Sequence, residues 1–169
     1  MIITDRLILS RPEKSDVARY FEINSDPATN IFNPLGPLKN IEVAENIMRA
    51  IVEHWEKYNF GVWKISEIKN PEHSIGFGGL NYRMYGDELK LNLGFRFDVA
   101  FFGKGYATEL AKRAITFAFE ELEAIEVFGL VRPKNIASIN VLEKCGFLLE
   151  GTLNDVPKEE ESLVYCKSQ

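Results

Sequence analysis

Apolar and polar positions change their period several times along the 169 residues, and each change marks an expected element. "RLILSR", residues 6–11, is a short apolar run between two arginines and predicts a strand. In "SDVARYFEIN" the apolar positions Val17, Tyr20 and Phe21 fall at helical spacing behind Ser15, an N-cap residue type, and Asp16 in the first turn, so a helix is expected there. Residues 25–40, "SDPATNIFNPLGPLKN", carry three prolines and a glycine among Asn, Asp, Ser and Thr, which predicts a loop long enough to be functional. From Ile41 to about Tyr58 the set Ala44, Ile47, Met48, Ile51, Trp55 and Tyr58 steps by three and four and forms one face of a longer helix.

The period then drops to two. "FGVWKIS", "SIGFGGLNYR" and "LKLNLGFRF" predict three strands, and in the last Leu89, Leu91, Leu93, Phe95 and Phe97 share one face while Lys90, Asn92, Gly94 and Arg96 share the other. "YGDE" between the second and third has hairpin chemistry, making these strands antiparallel neighbours. A helix with the inner stripe Ala107, Leu110, Ala111, Ala114, Phe117 and Ala118 follows, then a strand "IEVFGLV", which together form a βαβ unit with an expected right-handed crossover. The next helix has Asn135 as its N-cap and Gly146 as a left-handed C-cap with Phe147 behind it. "FLLEG" and "SLVYCK" predict two closing strands. The sum is a single α/β domain over residues 1–169, a central mixed sheet with helices on both faces.

Composition narrows what such a domain does. A formal net charge of -5 and a pI near 5.2 speak against a nucleic-acid footprint, and no apolar run is long enough for a membrane span or a signal peptide. The protein is expected to be cytoplasmic, with no membrane partner. Cys145 and Cys166 read as reduced, buried thiols, and the four scattered Cys and His residues supply no zinc ligand set, so no metal is expected.

The chemistry concentrates in "FFGKGYATEL", residues 101–110, where a strand gives way to a helix. Such a junction aims backbone N–H groups and the positive end of a helix dipole at one point, which favours an anion. Gly103 and Gly105 clear side chains from the amides, Ala107 allows close approach, and Lys104 adds charge at the rim. The spacing does not fit a Rossmann fingerprint, which needs glycine where Thr108 stands, or a Walker loop. By itself the loop fits a phosphate cradle and a plain tight turn alike.

Two longer stretches decide between these. The run from Gly94 to Leu122, followed by "VFGLVRPKNIASINVLEKCGFLLEG", resembles the GNAT acyl-CoA-dependent N-acetyltransferases, and within them the group that acetylates the N-terminal amines of ribosomal proteins. Phe102, Gly105 and Ala107 occupy the three marked positions of that family's pyrophosphate loop, and the subgroup's wording matches from Phe102 to Glu109. A second motif matches at Asn135, Ser138, Glu143, Lys144, Gly146 and Phe147, while "ITDRLILSRP" and "FGVWKI" extend the likeness over nearly the whole chain.

The resemblance implies a mostly antiparallel twisted sheet in which the parallel strands "LKLNLGFRF" and "IEVFGLV" splay to form an acyl-CoA cleft. It implies acetyl-CoA as co-substrate, its pantetheine paired along Phe97, Asp98 and Val99 and its pyrophosphate held by Phe102, Gly103, Lys104, Gly105, Tyr106, Ala107 and Thr108. A backbone N–H near Phe97 would polarise the thioester carbonyl, a contribution of about 3 kcal/mol per donor. Asn135 and Ser138 join the cofactor contacts, and Ser138 is the candidate proton relay to the departing sulfur because Leu142 stands where many relatives have a tyrosine. Asn92 replaces the usual glutamate base; it cannot accept a proton but can orient a water. That suits an α-amine, which is already partly neutral at pH 7. Glu88, Glu160, Glu161 and His54 remain as bases on charge alone, with His73 in an exposed turn. Acceptor choice falls to the loop at 26–40, the adjoining helices and "YRMYGDE", with Tyr82, Tyr85, Phe95 and Phe101 as aromatic candidates and Asp87, Glu88 and Glu159 to Glu161 as acidic ones. The acceptor is a protein N-terminus or a small amine such as a polyamine, amino acid or antibiotic; a non-catalytic acyl-CoA-binding module is the remaining alternative. Either a monomer or a homodimer is compatible.

Overall fold

A computed structural model describes residues 1–169. Eight strands form one sheet: β1 (Ile2–Ile3), β2 (Leu7–Ser10), β3 (Val62–Glu67), β4 (Asn70–Tyr85), β5 (Glu88–Phe97), β6 (Glu126–Val131), β7 (Leu148–Leu153) and β8 (Ser162–Ser168), in the order β1-β2-β3-β4-β5-β6-β8-β7. Four α-helices accompany it: α1 (Val17–Ser25), α2 (Ile41–Tyr58), α3 (Tyr106–Thr116) and α4 (Ile136–Lys144). The mixed α/β architecture inferred from periodicity is the observed one. The pair β5/β6 is parallel, and its ladder holds a single register pair, Asn92 with Phe128, whereas β6 and β8 are antiparallel over six.

The chain divides into two compact units, residues 1–79 with 95–106, and residues 80–94 with 107–169. In the first, α2 begins and ends where its pattern does. Asn40 caps it by accepting the Val43 N–H at 3.0 Å, and Asn59 closes it in the left-handed conformation at φ 59°. Ala44 and Met48 on its apolar face are buried, and Met48 packs with Ile23 of α1 and Phe77 of β4. The start of α1 departs from expectation. Ser15 is not its cap; residues 14–16 form a short 3-10 turn, and the Asp16 carboxylate reaches back to accept the Glu13 N–H at 2.8 Å. A carboxylate satisfies that orphan donor better than the nearby hydroxyl, and the helix proper begins at Val17, one residue later than a Ser15 cap would start it.

In the second unit, β4 and β5 meet through Gly86 and Asp87, a two-residue turn whose glycine has φ 63°, as mirror-image hairpin turns require. The inner stripe of α3 is buried at Leu110, Ala111 and Ala114, and a π-helical turn over Phe117–Glu121 carries it on to Ala118. Asn135 caps α4, and beyond its end Phe147 donates to the Leu142 carbonyl at 3.1 Å with Gly146 at φ 81°, the closure expected from "CGF". Both cysteines are free and buried. Burial raises the Cys145 thiol above its ordinary range and pushes that of Cys166 up to about 11. No helix is long and apolar enough to cross a membrane.

Candidate active site

The glycine loop belongs largely to the first unit. A 3-10 turn over Val99–Phe101 ends β5, capped by the Asp98 carboxylate, which accepts the Ala100 N–H at 2.9 Å. Phe102 is exposed, and Gly103 and Gly105 then adopt φ 72° and 79°. Those left-handed values turn successive peptide units so that their N–H groups converge. Gly103, Lys104 and Gly105 donate to no backbone carbonyl, and the space before a Cβ at Gly103 is open. An uncovered cradle of donors at the start of α3 fits a pyrophosphate.

Three side chains brace this loop. Arg6 donates to the Lys104 carbonyl at 2.8 Å, and its guanidinium lies over the Tyr106 ring, 4.6 Å from the centroid. The Tyr106 ring is buried, and its hydroxyl donates to Glu67, which is also buried and pairs with Lys69 at 3.2 Å. The Tyr106 hydroxyl holds the Glu67 carboxyl below its ordinary range, with Lys69 and Lys104 acting in the same direction. Tyr106 thus supports the cradle from beneath, while its backbone N–H stands with the loop donors at the start of α3. Lys104 extends outward, its ammonium 4.5 Å from the Phe101 ring centroid. Neither Arg6 nor Glu67 is a candidate by motif: the contact from Arg6 to Lys104 spans 98 positions. Its signal is only its place in "ITDRLILSRP".

Asp98 does not match its expected part. Its N–H donates to the Ile75 carbonyl at 2.9 Å, its own carbonyl accepts from Phe101 at 2.9 Å, and its carboxylate pairs with Arg19 at 2.5 Å. With each polar group engaged internally, Asp98 shapes the end of β5 instead of presenting groups to a ligand. Strand backbones alternate, so a residue whose N–H faces β4 is preceded by one that faces the opposite edge. Phe97 therefore turns its N–H and carbonyl away from β4.

In the second unit, Asn92 is buried and fully enlisted. It accepts the Tyr85 hydroxyl at 2.8 Å and donates to Asn81 Oδ1 at 3.1 Å. Burial raises the Tyr85 phenol, so this chain of neutral groups carries no base at neutral pH. Tyr85 is thereby part of the strand interior and not of an open aromatic pocket. This network buries Asn92 within the face of β5 that it shares with Lys90 in the alternating pattern.

Asn135 spends its side-chain oxygen on the Ser138 N–H at 3.2 Å, leaving its amide donors for other use. The cap uses only the backbone of Ser138, and the hydroxyl is unengaged. Leu142, in place of the tyrosine, is buried against Gly129, whose Cβ would lie 3.0 Å from the leucine Cδ2. Thr108 and the end of α4 meet where the Cys145 thiol donates to the Thr108 carbonyl at 3.9 Å. Three of the candidate bases are otherwise occupied: Glu88 pairs with Lys90 at 3.0 Å, Glu161 accepts from Thr152, and His54 Nδ1 bonds the Phe60 carbonyl at 2.8 Å, while Glu160 is exposed. Burial lowers the His54 imidazole.

Comparison with known proteins agrees with this loop, strand and helix arrangement. Residues 6–148 match the acetyltransferase (GNAT) domain, and the chain belongs to that family of N-acetyltransferases. The uncharacterized N-acetyltransferase p20 of Bacillus licheniformis is 24% identical over 96% of this chain and 90% of its own. The crystal structure of an acetyltransferase from Agrobacterium tumefaciens is 26% identical, with a TM-score of 0.83 over 99% of this chain and 94% of that one. The ribosomal-protein-S5-alanine acetyltransferase of Vibrio fischeri shares the fold at 20% identity, with a TM-score of 0.77 over 99% of this chain and 95% of that one.

Proposed function

We propose that this GNAT enzyme moves the acetyl group of acetyl-CoA directly to a primary amine, with the α-amine of a protein N-terminus as the leading acceptor. The observation that carries the reading is the cradle at Gly103, Lys104 and Gly105, whose N–H groups have no backbone partner and whose shape is held by Arg6 and Tyr106. Acetyl-CoA supplies an activated thioester. The cradle binds its pyrophosphate, and the N–H of Phe97 polarises the thioester carbonyl. Ser138 offers its free hydroxyl to the departing sulfur, and Asn135 offers an amide donor beside it. Asn92, neutral and held by Tyr85 and Asn81, supplies no base on β5. That absence of a strong base matches an amine that is substantially neutral near pH 8 more than a lysine-like one.

The test is release of free CoA thiol from acetyl-CoA in the presence of N-terminal peptides, amino acids, polyamines and aminoglycosides, each with an acceptor-free control. Acceptor-dependent release with peptides is the expected result. Tight acetyl-CoA binding with no transfer to any amine would replace the enzyme reading with that of an acyl-CoA-binding module.

A further inference from the structure

Arg96 is the exception among the shielded arginines of this chain. Arg19 has Asp98 and Glu22, Arg132 has Asp155, and Arg113 has Glu121, all within 3.3 Å. Arg96, half-buried on β5, has no carboxylate; its one hydrogen bond goes from Nη1 to the neutral side-chain oxygen of Asn30. Asn30 is itself fixed, donating to the carbonyls of Asn24 at 2.9 Å and Asp26 at 2.8 Å, so the loop at 26–40 holds the guanidinium in place. Taking a guanidinium out of water without a counter-charge is costly, and burial accordingly lowers its pKa from the ordinary arginine value. Its remaining N–H groups are not among the buried polar atoms without partners, so they open toward solvent. A guanidinium has five donors in a planar fork suited to a carboxylate, and here one is used.

The position of the cation ties it to the reaction. Arg96 is next in sequence to Phe97, whose N–H the acetyltransferase reading sets at the thioester, and it is anchored by Asn30 of the loop at 26–40, the segment expected to govern acceptor choice. Resting on the acetyltransferase reading above, we infer that Arg96 receives a carboxylate of the acceptor, so that the substrate is an amine bearing an acid group close to the reacting nitrogen. A free amino acid and a peptide with an acidic residue beside its N-terminus share that chemistry. Polyamines do not, and the cation repels them.

The experiment compares matched acceptors in the thiol-release assay: amino acids against their amides, and N-terminal peptides with Asp or Glu at the second position against those with Asn or Gln. Arg96→Gln is the variant, because its amide can still donate to Asn30 and keep the loop tied. The expected result is a preference for the acid member of each active pair, set by KM, that falls roughly tenfold in Arg96→Gln while acetyl-CoA affinity by calorimetry is unchanged. Which pair responds tells the free amino acid from the peptide. Equal KM values for acid and amide in the wild type, or a preference that survives in Arg96→Gln, overturn the inference while leaving the transferase reading intact. A second readout does not depend on turnover: the Nε–H resonance of Arg96, assigned by its absence in Arg96→Gln, is followed as N-acetyl amino acids and acetylated acidic peptides are titrated into the CoA-bound protein. Saturable shifts with the acids and none with their amides support the assignment, and a resonance that no acid moves rejects it.

Discussion

At Gly105 the backbone holds φ 79°, and a Cβ there would lie 3.5 Å from Arg6 Nη2. Any L-residue at this position strains the chain by about 1–2 kcal/mol, and a carboxylate adds repulsion toward a diphosphate. Gly105→Glu is therefore expected to lower acetyl-CoA affinity by at least roughly tenfold in calorimetry; an unchanged affinity removes the loop from the cofactor site. Ser138 makes a different prediction, because its backbone serves the cap and its hydroxyl does not. Ser138→Ala should reduce kcat with little change in acetyl-CoA affinity or Tm, and an equal loss of binding would demote the hydroxyl to a contact. Tyr85→Phe deletes the donor to Asn92 and leaves a buried oxygen short of a partner, at a cost of about 1–3 kcal/mol in stability measured by urea unfolding.

Elements set how far such residues can reach. The glycine loop is legible in the sequence because its glycines and the helix behind it are adjacent, and α2 is legible because its apolar stripe and both end residues are local. The Arg6 brace and the bond from Tyr106 to Glu67 are not, since each depends on a pairing that only the assembled β2 and β3 create. Asn92 illustrates the opposite failure. Its alternation with Leu91 and Leu93 marks a polar face, yet its neighbours on β4 supply Tyr85 and Asn81, and a satisfied amide can be buried as fully as a leucine. Arg6→Ala removes a charge-assisted bond and a ring contact from the loop. Acetyl-CoA affinity is expected to fall roughly tenfold while Tm hardly changes, because Arg6 acts at the surface of its unit. A large fall in Tm instead would make Arg6 a general support of the fold.

For the molecule as a whole, the buried Glu67 couples the first unit to pH. Its folded pKa is depressed by the Tyr106 hydroxyl, so it contributes stability that is complete above the ordinary glutamate value near about 4.3 and is lost as pH falls through the lower folded value. Wild type should accordingly exceed Glu67→Gln in Tm at neutral pH, with the gap closing below about pH 4; a gap that stays constant into acid would uncouple the carboxylate from folding. The same whole-chain view explains which arginine stands out. Residue order marks Arg96 as one member of a polar stripe, but only the folded chain shows the other half-buried guanidiniums, those of Arg19, Arg113 and Arg132, matched to acids. Finally, the chain's two cysteines are buried, and burial raises both thiols above their ordinary range. A disulfide dye added to the native enzyme will therefore colour with liberated CoA and not with the catalyst, and under denaturant the same dye will count two equivalents per chain. One reagent then reports turnover in one cuvette and the folded fraction of the sample in the next.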